Sequence, residues 1–324
     1  MRITISDIFF NRAGRARSGW RLAAFVVAFL LTLLALLAAL RFAVAPLLPA
    51  GAFERLIESN WGFVLQGVVL FITAALAGWA CAYVLEDLPW RALGWTPHRG
   101  WLPDLLKGLT IGAALIVAAA LFAVGFGGLK LTLSGSALWP SVALTFASSG
   151  IIFLLGAAAE ETLFRGYPLQ TLMRSWPLWL ALVPTSVPFA LVHTENPNVV
   201  PGFTFANTVL AGVWLAVAYA RTRSLWFPFG LHWGWNWTMG ALLGIPVSGI
   251  TKLAPEPLLR PDGFGEAWLT GGAYGLEGGA VCTVILLVAI LFIWRAPFFS
   301  ATEELKRFTD EENANPSAIP IVLE

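Results

Sequence analysis

Uninterrupted apolar blocks recur along this chain, most of them about 17 to 25 residues long, enough to cross roughly 30 Å of hydrocarbon. They run Leu22 to Leu40, Gly62 to Leu85, Leu105 to Phe126, Val142 to about Leu163, Leu178 to Val192, Phe203 to Ala220, Leu225 to Ile245 and Ala273 to Trp294, the fifth being the shortest. The pattern predicts an all-α fold, a polytopic transmembrane bundle of about eight helices. The linkers between blocks hold most of the charge, and their signs carry an orientation.

With the amino terminus in the cytoplasm, the inner segments collect Arg2, Arg12, Arg15, Arg17, Arg21, Arg91, Arg99, Lys107, Arg165, Arg174, Arg221, Arg223, Arg295, Lys306 and Arg307. Arg41, Arg55, Lys130, Lys252 and Arg260 fall outside. Lys and Arg favour cytoplasmic loops, so this distribution predicts both termini cytoplasmic. Residues 1–19 read as a basic interfacial segment, with Ile3, Ile5, Ile8, Phe9 and Phe10 free to dip into lipid. Residues 20–295 form the transmembrane domain, and residues 296–324 an acidic disordered tail. Ala43-Val-Ala45 mimics a signal-peptidase site, but the preceding apolar run is long for a signal peptide and reads as a retained anchor.

Composition agrees with this reading: 58% of the 324 residues are hydrophobic and 12% charged, which no soluble domain resembles. The net charge of +1 carries no nucleic-acid signature. Trp20, Trp61, Trp101, Trp139, Trp176, Trp226 and Trp294 sit at block ends and fit an interfacial belt. Cys81 and Cys282 lie within blocks and read as buried small hydrophobes. His98, in a basic loop beside Pro97, reads as solvated. The segment Pro246 to Gly272, rich in Gly and Pro, is placed over one end of the bundle and shows no chemical signature.

Against this background, charged residues inside a block are conspicuous, because an ionised group near a bilayer centre costs about 2.5 to 3.5 kcal/mol even on the lenient insertion scale. Glu160 and Glu161 stand side by side in the fourth block, and Arg165 follows. Successive helical residues diverge by about 100°, so the two acids cannot aim at one point. Arg165 lies four residues after Glu161, the favourable order for an ion pair. That pairing leaves Glu160 less compensated and able to act as a general base in a cavity. Two further helical patterns pair a histidine with a residue one turn away: Phe189-x-x-x-His193 and His232-x-x-x-Asn236. Asn236 can donate to an oxygen that gains negative charge. The inventory is a base, two imidazoles and a donor on three separate blocks.

Glu160-Glu161-x-x-x-Arg165, Phe189-x-x-x-His193 and His232-x-x-x-Asn236, with Phe164-Arg165-Gly166 and Arg221-Thr-Arg-Ser-Leu-Trp226, resemble the motifs of the CPBP (CAAX protease and bacteriocin-processing, or Abi) family. The resemblance covers roughly residues 140–244, about a third of the chain. It implies an integral membrane, multi-pass hydrolase, an intramembrane metallo- or glutamate-dependent endopeptidase that cuts a membrane-associated protein or peptide. Glu160 and His193 would then activate a water, His232 and Asn236 would stabilise the oxyanion, and Glu161 and Arg165 would support them. Glu160, His193 and His232 also match a catalytic zinc inventory of two His and one carboxylate, so the expected cofactor is zinc, another divalent metal, or none. The expected partners are the bilayer and the substrate, with no nucleic acid.

Two other classes use the same residues: a proton-coupled transporter or channel, with the acids and histidines as a relay, and a non-catalytic immunity or scaffold membrane protein. One geometric tension remains. At about 1.5 Å per residue, His232 lies roughly 10 Å along its helix from Leu225 and His193 roughly 23 Å from Leu178. Straight parallel helices would hold them apart. Pro184 and Pro188 supply a reason for the fifth helix to kink, and continuation of the fourth helix to about Leu172 would bring Glu160 between them.

Overall fold

The computed structural model describes residues 8–11, 14–134 and 139–309. Its helices are α1 (Ser18–Ala39), α2 (Ala52–Glu58), α3 (Asn60–Glu86), α4 (Trp101–Gly125), α5 (Trp139–Phe164), α6 (Tyr167–Met173), α7 (Leu178–Ala181), α8 (Val183–Val192), α9 (Phe203–Thr222), α10 (Trp226–Trp237), α11 (Ala267–Thr270), α12 (Ala280–Arg295) and α13 (Glu303–Thr309). Two strands, β1 (Leu129–Leu133) and β2 (Leu259–Phe264), pair antiparallel, with Leu131 opposite Pro261 and Leu133 opposite Leu259.

Five helical stretches have the length and composition to cross a bilayer: Ser18–Leu47, Asn60–Glu86, Trp101–Gly125, Trp139–Met173 and Phe203–Thr222. The other three expected spans are shorter than read from hydropathy. The fifth divides at Leu182 into α7 and α8, because Pro184 sits in the first turn of α8 and cannot donate to the turn before it. The seventh is the 12-residue α10 continued by a π turn, Thr238–Leu242. The eighth begins at Ala280 rather than Ala273, after a run of Gly-containing 3₁₀ turns. A count of eight crossings and the sidedness of the termini therefore do not follow from helix length.

Small residues let the helices approach closely, as they do where both sides of an interface are apolar and packing must supply the attraction. On α4 and α10 the contact is reciprocal. A Cβ at Gly108 or Gly112 would lie 2.3 or 2.1 Å from the carbonyl oxygens of Phe227 and Leu231; one at Gly230 or Gly234 would lie 2.3 or 2.2 Å from those of Leu105 and Leu109. Backbone therefore touches backbone over more than one turn. Gly67 of α3 likewise meets Leu155 of α5, and Gly212 of α9 meets Ser186 of α8. The main core lies among α4, α5, α9, α10 and α12, built on Ile116, Phe153, Leu215, Leu231, Trp235 and Leu286.

At one end, Glu86 of α3 receives Arg21 of α1 at 2.9 Å and also pairs with Arg174, just beyond α6. All three are buried, so this ion pair fastens α1 to the body of the bundle. His98 is also buried, at 7% exposure, with Nε2 3.2 Å from Ser224 Oγ and 3.6 Å from Asp104 Oδ2. The solvated loop expected there is instead packed against the start of α4 and the turn before α10. Cys81 and Cys282 are buried free thiols. Of the terminal segments, residues 1–7 and 310–324 lie outside the described residues; Ile8, Phe9 and Phe10 are exposed, and Phe9 stacks on Trp20 at 5.0 Å.

Candidate active site

The fourth helix does not run straight to Leu172. It ends at Phe164, turns at Arg165 and Gly166, and resumes as α6. The amides of both Arg165 and Gly166 donate to the Glu161 carbonyl, and a Cβ on Gly166 would lie 2.3 Å from the Thr162 carbonyl oxygen. Only glycine permits that turn, and the turn directs Arg165 inward.

Arg165 is fully buried. Its Nη1 donates to Glu161 Oε1 at 3.1 Å, its Nη2 to the Gly212 carbonyl of α9 at 3.1 Å, and its guanidinium lies 4.4 Å from the centre of the Phe189 ring on α8. One cation thus joins three helices and compensates Glu161, which is also fully buried. The same Glu161 oxygen accepts from His232 Nδ1 at 2.9 Å. Glu160 points elsewhere, its side chain 31% exposed, and Oε2 has no hydrogen-bond partner among the described residues.

Both imidazoles present Nε2 to that oxygen, His232 at 3.7 Å and His193 at 4.0 Å. His193 Nδ1 lies 2.7 Å from the Phe189 carbonyl, which can only accept, so the proton resides on Nδ1 and Nε2 offers a lone pair. His193 caps α8, at the end of the apolar stretch that is interrupted at Leu182. Asn236, one turn beyond His232, lines the same cavity of about 550 Å³, and no described group bonds its carboxamide. Glu160, Glu161, Arg165, His193 and His232 are therefore neighbours, and Asn236 lines the cavity they border.

Glu160, His193 and His232 have the donor chemistry of a zinc site, but ligands about 2.1 Å from one tetrahedral ion stand about 3.4 Å apart. Separations of 3.7 and 4.0 Å are wider, and among the described residues no three such side chains are arranged to hold an ion. One water about 2.8 Å from each acceptor fits this spacing.

Phe189 has a larger part than its motif position indicates: its carbonyl orients His193, its ring carries Arg165, and that ring lies 5.3 Å from Phe164. Sequence reading missed the polar groups on the remaining cavity wall, which include Asn207, Trp214, Ser248 and Glu277. Glu277 falls inside what hydropathy reads as the eighth span, and a charge within an apolar run was the available signal. The segment after Pro246, read as a chemically silent cover, contributes Ser248.

Comparison with curated proteins and with solved structures gave no match. Comparison with family models matched residues 142–238 to the family described as Type II CAAX prenyl endopeptidase Rce1-like, which falls within the CPBP family. That segment, about a third of the chain, contains the six residues singled out above and is similar to the CPBP family over that stretch, and the chain's apolar helices are those of an integral membrane protein.

Proposed function

We propose that the protein is an intramembrane endopeptidase that hydrolyses a peptide bond of a membrane-associated protein or peptide, with Glu160 as general base. The observation that carries this reading is the convergence of Glu160 Oε2 with two imidazole Nε2 atoms at the wall of a cavity, while the neighbouring acid is compensated by Arg165. A water donating one hydrogen to Glu160 and the other to His193 Nε2 turns its oxygen lone pairs towards a peptide carbonyl. Glu160 takes the proton as the oxygen attacks. The oxyanion that forms accepts from the Asn236 carboxamide and from His232 when its Nε2 is protonated, and Glu160 then returns the proton to the departing amine. Glu161 holds His232 by Nδ1, and Arg165 holds Glu161. Similarity of residues 142–238 to the type II CAAX prenyl endopeptidases supports peptide-bond hydrolysis near a prenylated terminus as the reaction class.

Glu160→Gln keeps size and removes basicity. Because a general base contributes about 10² to 10⁴-fold, turnover of a membrane-peptide substrate should fall by at least about 100-fold, with the thermal melt in detergent unchanged. Activity within tenfold of wild type would overturn the assignment. No step above runs through an ion, so exhaustive chelation should leave turnover in place. Loss of activity on chelation, restored by zinc, would replace this scheme with a metal-dependent one.

A further inference from the structure

The lining of the same cavity carries a second carboxylate. Glu277 precedes α12 and is held by three donors: Trp235 Nε1 reaches Oε1 at 3.1 Å, and the Ser248 amide and hydroxyl reach Oε2 at 2.7 and 2.9 Å. Asn207 Nδ2 fixes its backbone by donating to the carbonyls of Glu277 and Gly279, both at 2.8 Å. A carboxylate has about four acceptor positions, so three donors leave one, on Oε1. No described Lys, Arg or His lies within ion-pair distance of Glu277.

The charge of the lining is one-sided. Glu160 and Glu277 both line the cavity, and among the described residues no Lys or Arg does. Arg165 is spent on Glu161 behind Phe189. Lys252 is exposed, 5.0 Å from the Phe63 ring, and is not part of the lining. Trp214 adds an independent sign that the space is built for a ligand: it is 2% exposed, lines the cavity, and its buried Nε1 has no acceptor among the described residues. Its ring lies 5.6 Å from that of Trp235, the residue that holds Glu277. Trp235 is one turn or less from both His232 and Asn236 along α10.

We propose that Glu277 is a specificity determinant that receives a basic group of the substrate, a Lys or Arg side chain or an amine, while Trp214 Nε1 donates to a backbone carbonyl of the same segment. This rests on the protease reading and names the substrate class for that site: an apolar peptide bearing one positive charge close to the scissile bond. A basic group entering this cavity leaves water and meets a fixed carboxylate with no described Lys or Arg paired to it. An acidic group meets no Lys or Arg among the described lining residues.

The test uses full-length protein in phosphatidylcholine vesicles, with empty vesicles as the baseline. It is titrated with a fluorescent apolar peptide carrying Lys, Met or Glu at each position in turn. Charged hydrogen bonds commonly contribute a factor of about ten, so at one position Lys should bind about tenfold tighter than Met, and Glu weaker than both. Glu277→Gln should reduce the Lys advantage to within about twofold, whereas Glu277→Asp should retain most of it. No Lys advantage at any position, or one that survives Glu277→Gln, overturns the proposal. The wild-type scan decides by itself if the variants fail to fold. Turnover is read on the same samples: a Lys preference in binding without cleavage of any peptide would sink the protease reading and leave this one standing.

Discussion

Arg165 shows how a single buried side chain can be indispensable without touching substrate. Its guanidinium satisfies Glu161, a carbonyl of α9 and the face of Phe189 at once. Arg165→Met should leave Glu161 as an uncompensated buried charge at a cost of about 3 to 5 kcal/mol. The expected readouts are a lower melting temperature and reduced yield of folded protein, with partial recovery in the Arg165→Met, Glu161→Gln double variant because the stranded charge is then gone. A single variant as stable as wild type would remove Arg165 from this role. At this scale the sequence was informative where partners are local: four residues separate Glu161 from Arg165, Phe189 from His193, and His232 from Asn236. It was silent where partners are remote. Nothing near Glu277 announces Trp235 or Ser248, and nothing near His98 announces Ser224, 126 residues away, which turns a presumed solvent-facing imidazole into a buried one.

Among the elements, α10 depends on its neighbour α4 more than on its own length. Twelve residues do not span a bilayer, and the helix is held by the glycine contacts at Gly108, Gly112, Gly230 and Gly234. Gly234→Ala would place a Cβ 2.2 Å from the Leu109 carbonyl oxygen, so the helices must separate. Overpacking of this kind costs about 1 to 3 kcal/mol, and here it also displaces His232 and Asn236, two residues to either side. Lower thermal stability together with lost turnover is the expected outcome; wild-type values for both would show that the interface yields elsewhere. The paired glycines were present in the sequence as two small-x-x-x-small repeats, but only their facing register gives them meaning. Pro184 and Pro188 gave the right reason for an irregular fifth segment. The interruption falls at Leu182, just before Pro184, and α8 packs on α9 through the close contact of Ser186 with Gly212, which hydropathy does not encode.

For the molecule as a whole, apolar blocks in the sequence marked every segment that became a membrane-type helix, while their boundaries and crossings were less legible. Three blocks yielded short or broken helices, since apolar residues buried against protein look the same as those facing lipid. The basic residues still predict a common side for both ends. Single cysteines introduced at Arg17 and Ser300, in a background without Cys81 and Cys282, should both react with an impermeant maleimide only when the cytoplasmic face is accessible. Labelling from opposite faces would require an odd number of crossings.

The direct backbone seam between α4 and α10 leaves that wall of the chamber little room to part. The opposite border is different. Phe29 of α1, with Phe63 and Gln66 of α3, borders the chamber, and only 6% of the apolar stretch of α1 is buried in the protein. Arg21 bolts the first turns of α1 to Glu86, whereas Leu34, Leu37 and Phe42 farther along are open to lipid. A greasy guest arriving sideways through the bilayer thus meets a post that is bolted at one end and bare along most of its length.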